Sequence, residues 1–156
     1  MRRLRTHRST CLQKWVGDDP SRAVMELVEI HDTDSCRDPE IRDRVVHSPK
    51  ARHTQHYVVK NAEEEIAFLA LDLIPHADYL VLYEVFVPQS LRNMGIGSQL
   101  LREVDTFAQT RGYAKITLRP SPLAPGYSAA NLAKWYKARG YQERVECPTE
   151  LEKSLR

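Results

Sequence analysis

The sequence predicts an α/β domain, a mixed and mostly antiparallel sheet of about six to seven strands flanked by helices. Three observations carry that expectation. Strand-like segments rich in β-branched and aromatic residues follow one another from Gln55 to Val87 with only short polar breaks. Ile96, Leu100, Leu101, Val104, Phe107 and Ala108 then recur three and four residues apart, the stripe of an amphipathic helix. A short strand, another helix and two closing strands come after it, so a run of antiparallel neighbours gives way to a strand-helix-strand crossover.

Taken in order, Met25 to Ile30 alternates apolar residues with Glu26 and Glu29 and reads as the first strand. Asp38 as N-cap, Pro39 at the first helical position and Glu40 in the first turn start a short helix to Val46, stopped by Pro49. Tyr57 to Val59 and Ile66 to Ile74 form two antiparallel strands around a polar turn at Asn61 to Glu64, and Tyr79 to Val87 forms the next, ended by Pro88. Gly112 caps the amphipathic helix. Lys115 to Arg119 is a strand, Pro120 to Gly126 a stiff loop, and Ser128 caps a last helix that ends at Arg139 and Gly140. Tyr141 to Glu146 and Leu151 to Leu155 are expected to pair as a hairpin across Pro148 to Glu150.

With 156 residues, 42% of them hydrophobic and 28% charged, the chain fits one globular domain with a real core. The longest apolar runs, Ile66 to Leu71 and Tyr79 to Tyr83, fall far short of the roughly 20 residues of a membrane span, which speaks against a membrane partner. Residues 1–24 hold six basic and two acidic side chains, leaving 17 basic and 19 acidic for the remainder. The formal charge of +2 is therefore the work of the opening segment, and no broad cationic face for nucleic acid is indicated. That segment is expected to be a flexible tail or sequence upstream of a functional start at Met25. It lacks the apolar core of a secretory signal and only partly mimics a transit peptide. Cys11, Cys36 and Cys147 are odd in number and widely spaced, so neither a disulfide framework nor a zinc site is indicated and a reducing compartment, the cytoplasm, is expected. His53, His56 and His76 do not make a metal-ligand spacing and read equally as residues of an acceptor cleft, and Glu63 to Glu65 reads as a solvated turn.

The chemistry concentrates where the strand ending at Val87 and Pro88 runs into the amphipathic helix through Arg92, Asn93, Met94, Gly95, Ile96, Gly97 and Ser98. A strand delivered through glycines into a helix N-terminus presents unpaired backbone N–H groups at the positive end of the helix dipole, an arrangement that binds phosphate. Gly95 and Gly97 let the backbone approach an anion, and Asn93 tolerates positive φ. Alone the pattern is weak, since glycines also make plain turns. It is not the dinucleotide fingerprint, whose third glycine is missing, nor the P-loop, which needs Gly-Lys-Ser/Thr.

Arg92-Asn93-Met94-Gly95-Ile96-Gly97 resembles the pyrophosphate signature Q/R-x-x-G-x-G/A of the GNAT superfamily of N-acetyltransferases, and Val85-Phe86-Val87-Pro88 precedes it like that family's V-x-x-P strand end. Asn131 to Tyr141 is similar to its later motif, N-x-x-A-x-x-hydrophobic-Y-x-x-x-G-F/Y. The resemblance covers residues 25–156. It departs at Asn93, often glycine in the family, and in the short region between the first two strands, which usually supplies a wall of the acceptor site.

The resemblance implies an acetyl-CoA-dependent N-acetyltransferase in which an acceptor amine attacks the thioester directly in a ternary complex. It implies that the amides of Arg92, Gly95, Gly97 and Ser98 hold the CoA pyrophosphate, with Asn93 and Met94 completing the turn. The main chain of Val85, Phe86 and Val87 would pair with the pantetheine arm like an added strand, splaying the sheet there. Val85 and Val87 also read as ordinary core residues. Tyr136 would donate a proton to the leaving sulfur, against the plainer reading of a core aromatic. Glu84 is placed to take the acceptor's proton and reads equally as a solvated strand glutamate. Asn131 would bond the pantetheine or simply start its helix, and Tyr127 would sit at the mouth. A CoA-binding sensor without turnover is the alternative, and a toxin acetylating charged tRNA is disfavoured by the net charge of residues 25–156. The acceptor is not specified, and an exposed sheet edge leaves a homodimer open.

Overall fold

The computed structural model describes residues 24–156, so the tail expected over residues 1–24 lies, apart from Val24, outside the described residues. The alternating opening folds as β1 (Glu26–Ile30), and Asp38 caps α1 (Pro39–His47) by accepting from the Ile41 N–H. Antiparallel β2 (Thr54–Asn61), β3 (Glu64–Asp72) and β4 (Tyr79–Phe86) follow. A 3-10 turn (Gln89–Leu91) leads into α2 (Ile96–Thr110), then β5 (Lys115–Leu118), α3 (Ala129–Lys137), β6 (Gln142–Glu143) and β7 (Leu151–Ser154). The strands form one sheet in the order β1-β2-β3-β4-β5-β7-β6. Among the described residues only the β4–β5 pair is parallel, as the crossover through α2 requires.

Both faces of the sheet are covered, unequally. Leu69, Leu71, Leu80, Leu82, Ile116 and Leu118 pack against Leu100, Leu101, Val104 and Ala108 of α2 and Tyr136 of α3 in the main core. At about 2 kcal/mol for each buried aliphatic side chain, this layer dominates the stability. On the other face α1 sets Ile41 and Val45 on Ile30, Val58, Phe68 and Ala70, a smaller cluster. α2 ends as its sequence predicts: Gly112 has φ 83°, and Tyr113 and Gly112 donate to the carbonyls of Ala108 and Gln109.

Two expectations change. The closing hairpin is much shorter than Tyr141 to Glu146, because β6 pairs only Gln142 and Glu143 with β7. Pro148 has no N–H for a ladder, and the loop between them closes instead on Arg144, whose N–H donates to the Glu150 carbonyl and whose guanidinium meets the Glu150 carboxylate at 2.6 Å. Glu65 is not a solvated turn residue. Its carboxylate accepts from the Arg37 and Asp38 N–H groups at 2.7 to 2.9 Å, tying the loop before α1 to β3.

Two irregularities of β4 prepare the functional region. Its ladder with β5 stops at Val81 and Thr117, although β4 runs on to Phe86, so the sheet splits and the main chain from Leu82 onward loses its partner on that side. A bulge also shifts register against β3, pairing Ala70 with Glu84 but Leu71 with Leu82, with Tyr83 as the extra residue. Leu80 and Leu82 face the main core, and after the bulge Val85 does too, which leaves Glu84 with Ala70 on the α1 side.

Candidate active site

The split between β4 and β5 opens into a cleft of about 1290 Å³ that continues to the N-terminus of α2. Ligand pockets are commonly 300 to about 1000 Å³, so this cleft is larger than most. It is walled by Glu84, Val85, Phe86 and Val87 from β4 and its end, by Arg92, Asn93, Gly95, Gly97 and Ser98 from the turn, and by Asn131 and Tyr136 from α3. All the expected site residues thus converge on one cavity except Met94, which stays in the turn without lining it.

The anion end is built by an uncapped helix. Asp38 caps α1 and Ser128 caps α3, each accepting from a first-turn N–H, whereas α2 begins at Gly95 with no side-chain cap. The N–H groups of Ile96, Gly97 and Ser98 precede the first intrahelical bond, from Gln99 to the Gly95 carbonyl, and are left to an outside acceptor. The turn reaches them through positive φ at Asn93 (61°) and Gly95 (80°), as the residue types predict. The two glycines serve different purposes. Gly95 is needed for its backbone angle, and a Cβ there would meet nothing within 4 Å. A Cβ on Gly97 would come within 3.1 Å of the Trp135 ring, so Gly97 lets α3 dock on the first turn of α2.

Trp135 and Arg139 are functional-region residues that the sequence reading passed over. Arg139 stacks on the Trp135 ring at 4.1 Å, and its Nε donates to Ser98 Oγ at 2.9 Å and its Nη1 to the Trp135 carbonyl at 2.7 Å. It joins the end of α3 to the phosphate turn and lines the cleft. Its signal was present as an arginine one residue before Gly140, but that position also marks a helix end. On the opposite side Arg92 Nε donates to the Val87 carbonyl at 2.9 Å. Two guanidinium groups therefore flank the uncapped amides.

Tyr136 is both a core aromatic and a cleft residue, its ring edge-on to Trp135 and Tyr141 at 5.0 and 5.5 Å. Burial pushes its phenol up to about 12, which keeps the hydroxyl protonated. Val85 and Val87 likewise do both jobs, packing on the main core while their strand edge borders the cleft. Asn131 sits in the first turn of α3, its N–H held by Ser128 Oγ, and Tyr127 is exposed at the rim.

Glu84 is not the solvated strand glutamate of the plainer reading. It is buried, and its carboxylate meets Arg44 Nε of α1 at 3.2 Å, too obliquely for a hydrogen bond. Burial raises its affinity for a proton, and Arg44 and the nearby Ser48 hydroxyl only partly offset this. None of His53, His56 and His76 lines the cleft: His56 is buried under α1, and His76 makes the β3–β4 turn at φ 65°. Among the described residues no helix is long and apolar enough to cross a membrane.

A family model described as an acetyltransferase (GNAT) domain matches residues 52–143, more than half of the chain. The chain belongs to the GNAT acetyltransferases. Solved GNAT structures share its fold at low identity. A GNAT family acetyltransferase from Elizabethkingia anophelis with acetyl-CoA bound is 16% identical, with TM-score 0.57 over 83% of this chain and 97% of that one. A Bacillus subtilis acetyltransferase in complex with CoA is also 16% identical, with TM-score 0.59 over 83% and 97%. IAA acetyltransferase from Bacillus cereus is 18% identical, with TM-score 0.56 over 84% and 99%. No curated protein sequence matches this GNAT chain significantly.

Proposed function

We propose that residues 25–156 are the catalytic domain of an acetyl-CoA-dependent N-acetyltransferase that passes the acetyl group to an acceptor amine by direct attack in a ternary complex. One observation carries the reading: the unpaired edge of β4 runs straight into the uncapped amides of α2 within one cleft. An extended chain ending in a diphosphate fits that combination, with strand-like pairing along Val85 to Val87 and amides for the anion. The open space at Gly95 and the flanking Arg92 and Arg139 suit the diphosphate. Asn131 lines the same cleft from the α3 side, and its role in this reading is to bond the pantetheine.

Within that complex Glu84 takes a proton from the acceptor ammonium, which its raised proton affinity favours. Tyr136 donates its hydroxyl to the leaving sulfur. A buried phenol near 12 is a weaker acid than a thiol near 8.5, so transfer even to the fully formed thiolate is uphill by roughly 5 kcal/mol. Tyr136 therefore acts first as a hydrogen-bond donor to the charge on sulfur, and passes its proton on only as the second acceptor proton replaces it. The reaction needs no covalent enzyme intermediate.

Calorimetry with acetyl-CoA, followed by thiol release against a panel of amines, tests the reading. Folded protein that binds no acetyl-CoA sinks it. Binding with no turnover on any amine would instead support a CoA sensor.

A further inference from the structure

Four buried side-chain atoms without a hydrogen-bond partner gather under α1: Arg44 Nε, Ser48 Oγ, His56 Nε2 and Glu84 Oε2. His56, Ala70 and Glu84 occupy one rung of the sheet on β2, β3 and β4, pointing to the same face. The outer two are two strand spacings apart, about 10 Å, with the small side chain of Ala70 between them on the rung. Arg44 touches Glu84 at 3.2 Å, and Ser48 lies close enough to lower the Glu84 pKa. His56 gives its other ring N–H to the carbonyl of Pro49, next to Ser48, so Nε2 is left as the acceptor. Ser48, His56 and Glu84 are only 8%, 5% and 8% exposed, yet Glu84 also borders the cleft. Buried polar atoms are almost always paired, with ordered water where protein groups do not reach.

We propose that the space above Ala70 holds ordered water joining the Glu84 carboxylate to His56 Nε2 past the Ser48 hydroxyl, and that this route carries the acceptor's proton out on the α1 side. The proposal rests on Glu84 as the base. Proton balance requires that one proton leave the site. The acceptor ammonium loses two protons as its C–N bond forms and the C–S bond breaks; one ends on the CoA sulfur through Tyr136 and one must leave the protein. With acetyl-CoA on one side and acceptor on the other, Glu84 has the polar cluster as its remaining neighbour. His56 is a positioning and relay residue, since it does not touch the cleft.

The groups facing the cluster are Glu84 from β4, His56 from β2, and Arg44 with Ser48 from α1 and its cap; Lys50 acts on His56 from the following loop. Ile30, Phe68 and Ala70 of the sheet and Ile41 and Val45 of α1 surround it with apolar surface, and Asp43 and His47 pair at 3.4 Å on the exposed side of α1. Burial holds His56 below its ordinary value and Glu84 above, bringing a weak base and a weak acid closer in proton affinity.

The test compares His56→Ala, Ala70→Val and Glu84→Gln on the full chain, with circular dichroism to establish folding. His56→Ala should lower kcat/KM by about tenfold or more, and added imidazole should restore it. Ala70→Val fills the space without altering a titratable group and should slow transfer comparably. A folded His56→Ala protein that is slow but not rescued by imidazole overturns the relay, as do both variants working at the wild-type rate while Glu84→Gln is inactive. Full activity of Glu84→Gln would instead remove the base reading itself. Should the core variants not fold, a proton inventory in mixed light and heavy water on the wild-type enzyme decides: a curved inventory supports several protons in flight, and a linear one overturns the proposal.

Discussion

Gly97→Ala separates the two meanings a glycine has in a phosphate turn. Gly97 is at the second position of α2, outside the left-handed region, so alanine is conformationally welcome and gains about 1 kcal/mol of helix propensity. The new Cβ, however, lies 3.1 Å from Trp135 Cζ2 and 3.4 Å from Cη2, and the ring must give by a few tenths of an ångström. Overpacking of this kind costs about 1 to 3 kcal/mol, so net stability should change by no more than about 2 kcal/mol, a Tm shift of a few degrees. Function should suffer more. Trp135 carries Arg139 on its ring and adjoins Tyr136, so displacing it moves the guanidinium beside Ser98 and the phenol in the cleft together. Acetyl-CoA affinity by calorimetry should fall about tenfold, equivalent to about 1.4 kcal/mol. Gly97→Ala combined with Trp135→Leu should recover part of that loss, since the smaller side chain removes the collision. Wild-type affinity in Gly97→Ala, or a double variant no better than the sum of its parts, would refute the reasoning. Gly95→Ala is the control, with no collision but a strained φ of 80°, costing about 1 to 2 kcal/mol of stability.

Glu84→Gln should lower kcat about a hundredfold or more with little change in acetyl-CoA affinity, and Tyr136→Phe should lower it about tenfold to a hundredfold, both read by thiol release. Burial lowers the His56 pKa, so the unfolded chain takes up that proton first as pH falls; wild-type stability should drop below about pH 6.5, and His56→Gln should lack this component in denaturant titrations between pH 7.5 and 5. Glu65→Ala should cost about 1 to 3 kcal/mol in the same titrations, because two backbone N–H groups lose a charged acceptor. Ala62→Gly should add up to about 1 kcal/mol by relieving a φ of 54° in the β2–β3 turn.

Local signals in the chain were enough for the element order and the donor side of the site. Capping residues such as Asp38 and Ser128, the stripe of α2, and glycines at Gly95, Gly112 and Gly140 act within a few residues of where they stand, and the structure keeps each of them. The same locality made the phosphate turn legible, because amides, glycines and helix start are contiguous. What lies across the sheet was not legible. The bulge at Tyr83 turns Glu84 from the cofactor-helix side toward α1, and only pairing with β3 creates that bulge. Trp135 against Gly97, Arg139 on Ser98, and Glu65 on the Arg37 and Asp38 amides join residues 27 to 41 positions apart. The sequence alone determined how this protein presents amides to an anion, since that is a property of one helix start. The tertiary structure alone decided which buried groups surround Glu84, since β2, β3, β4 and α1 each supply one wall and no spacing along the chain encodes their meeting.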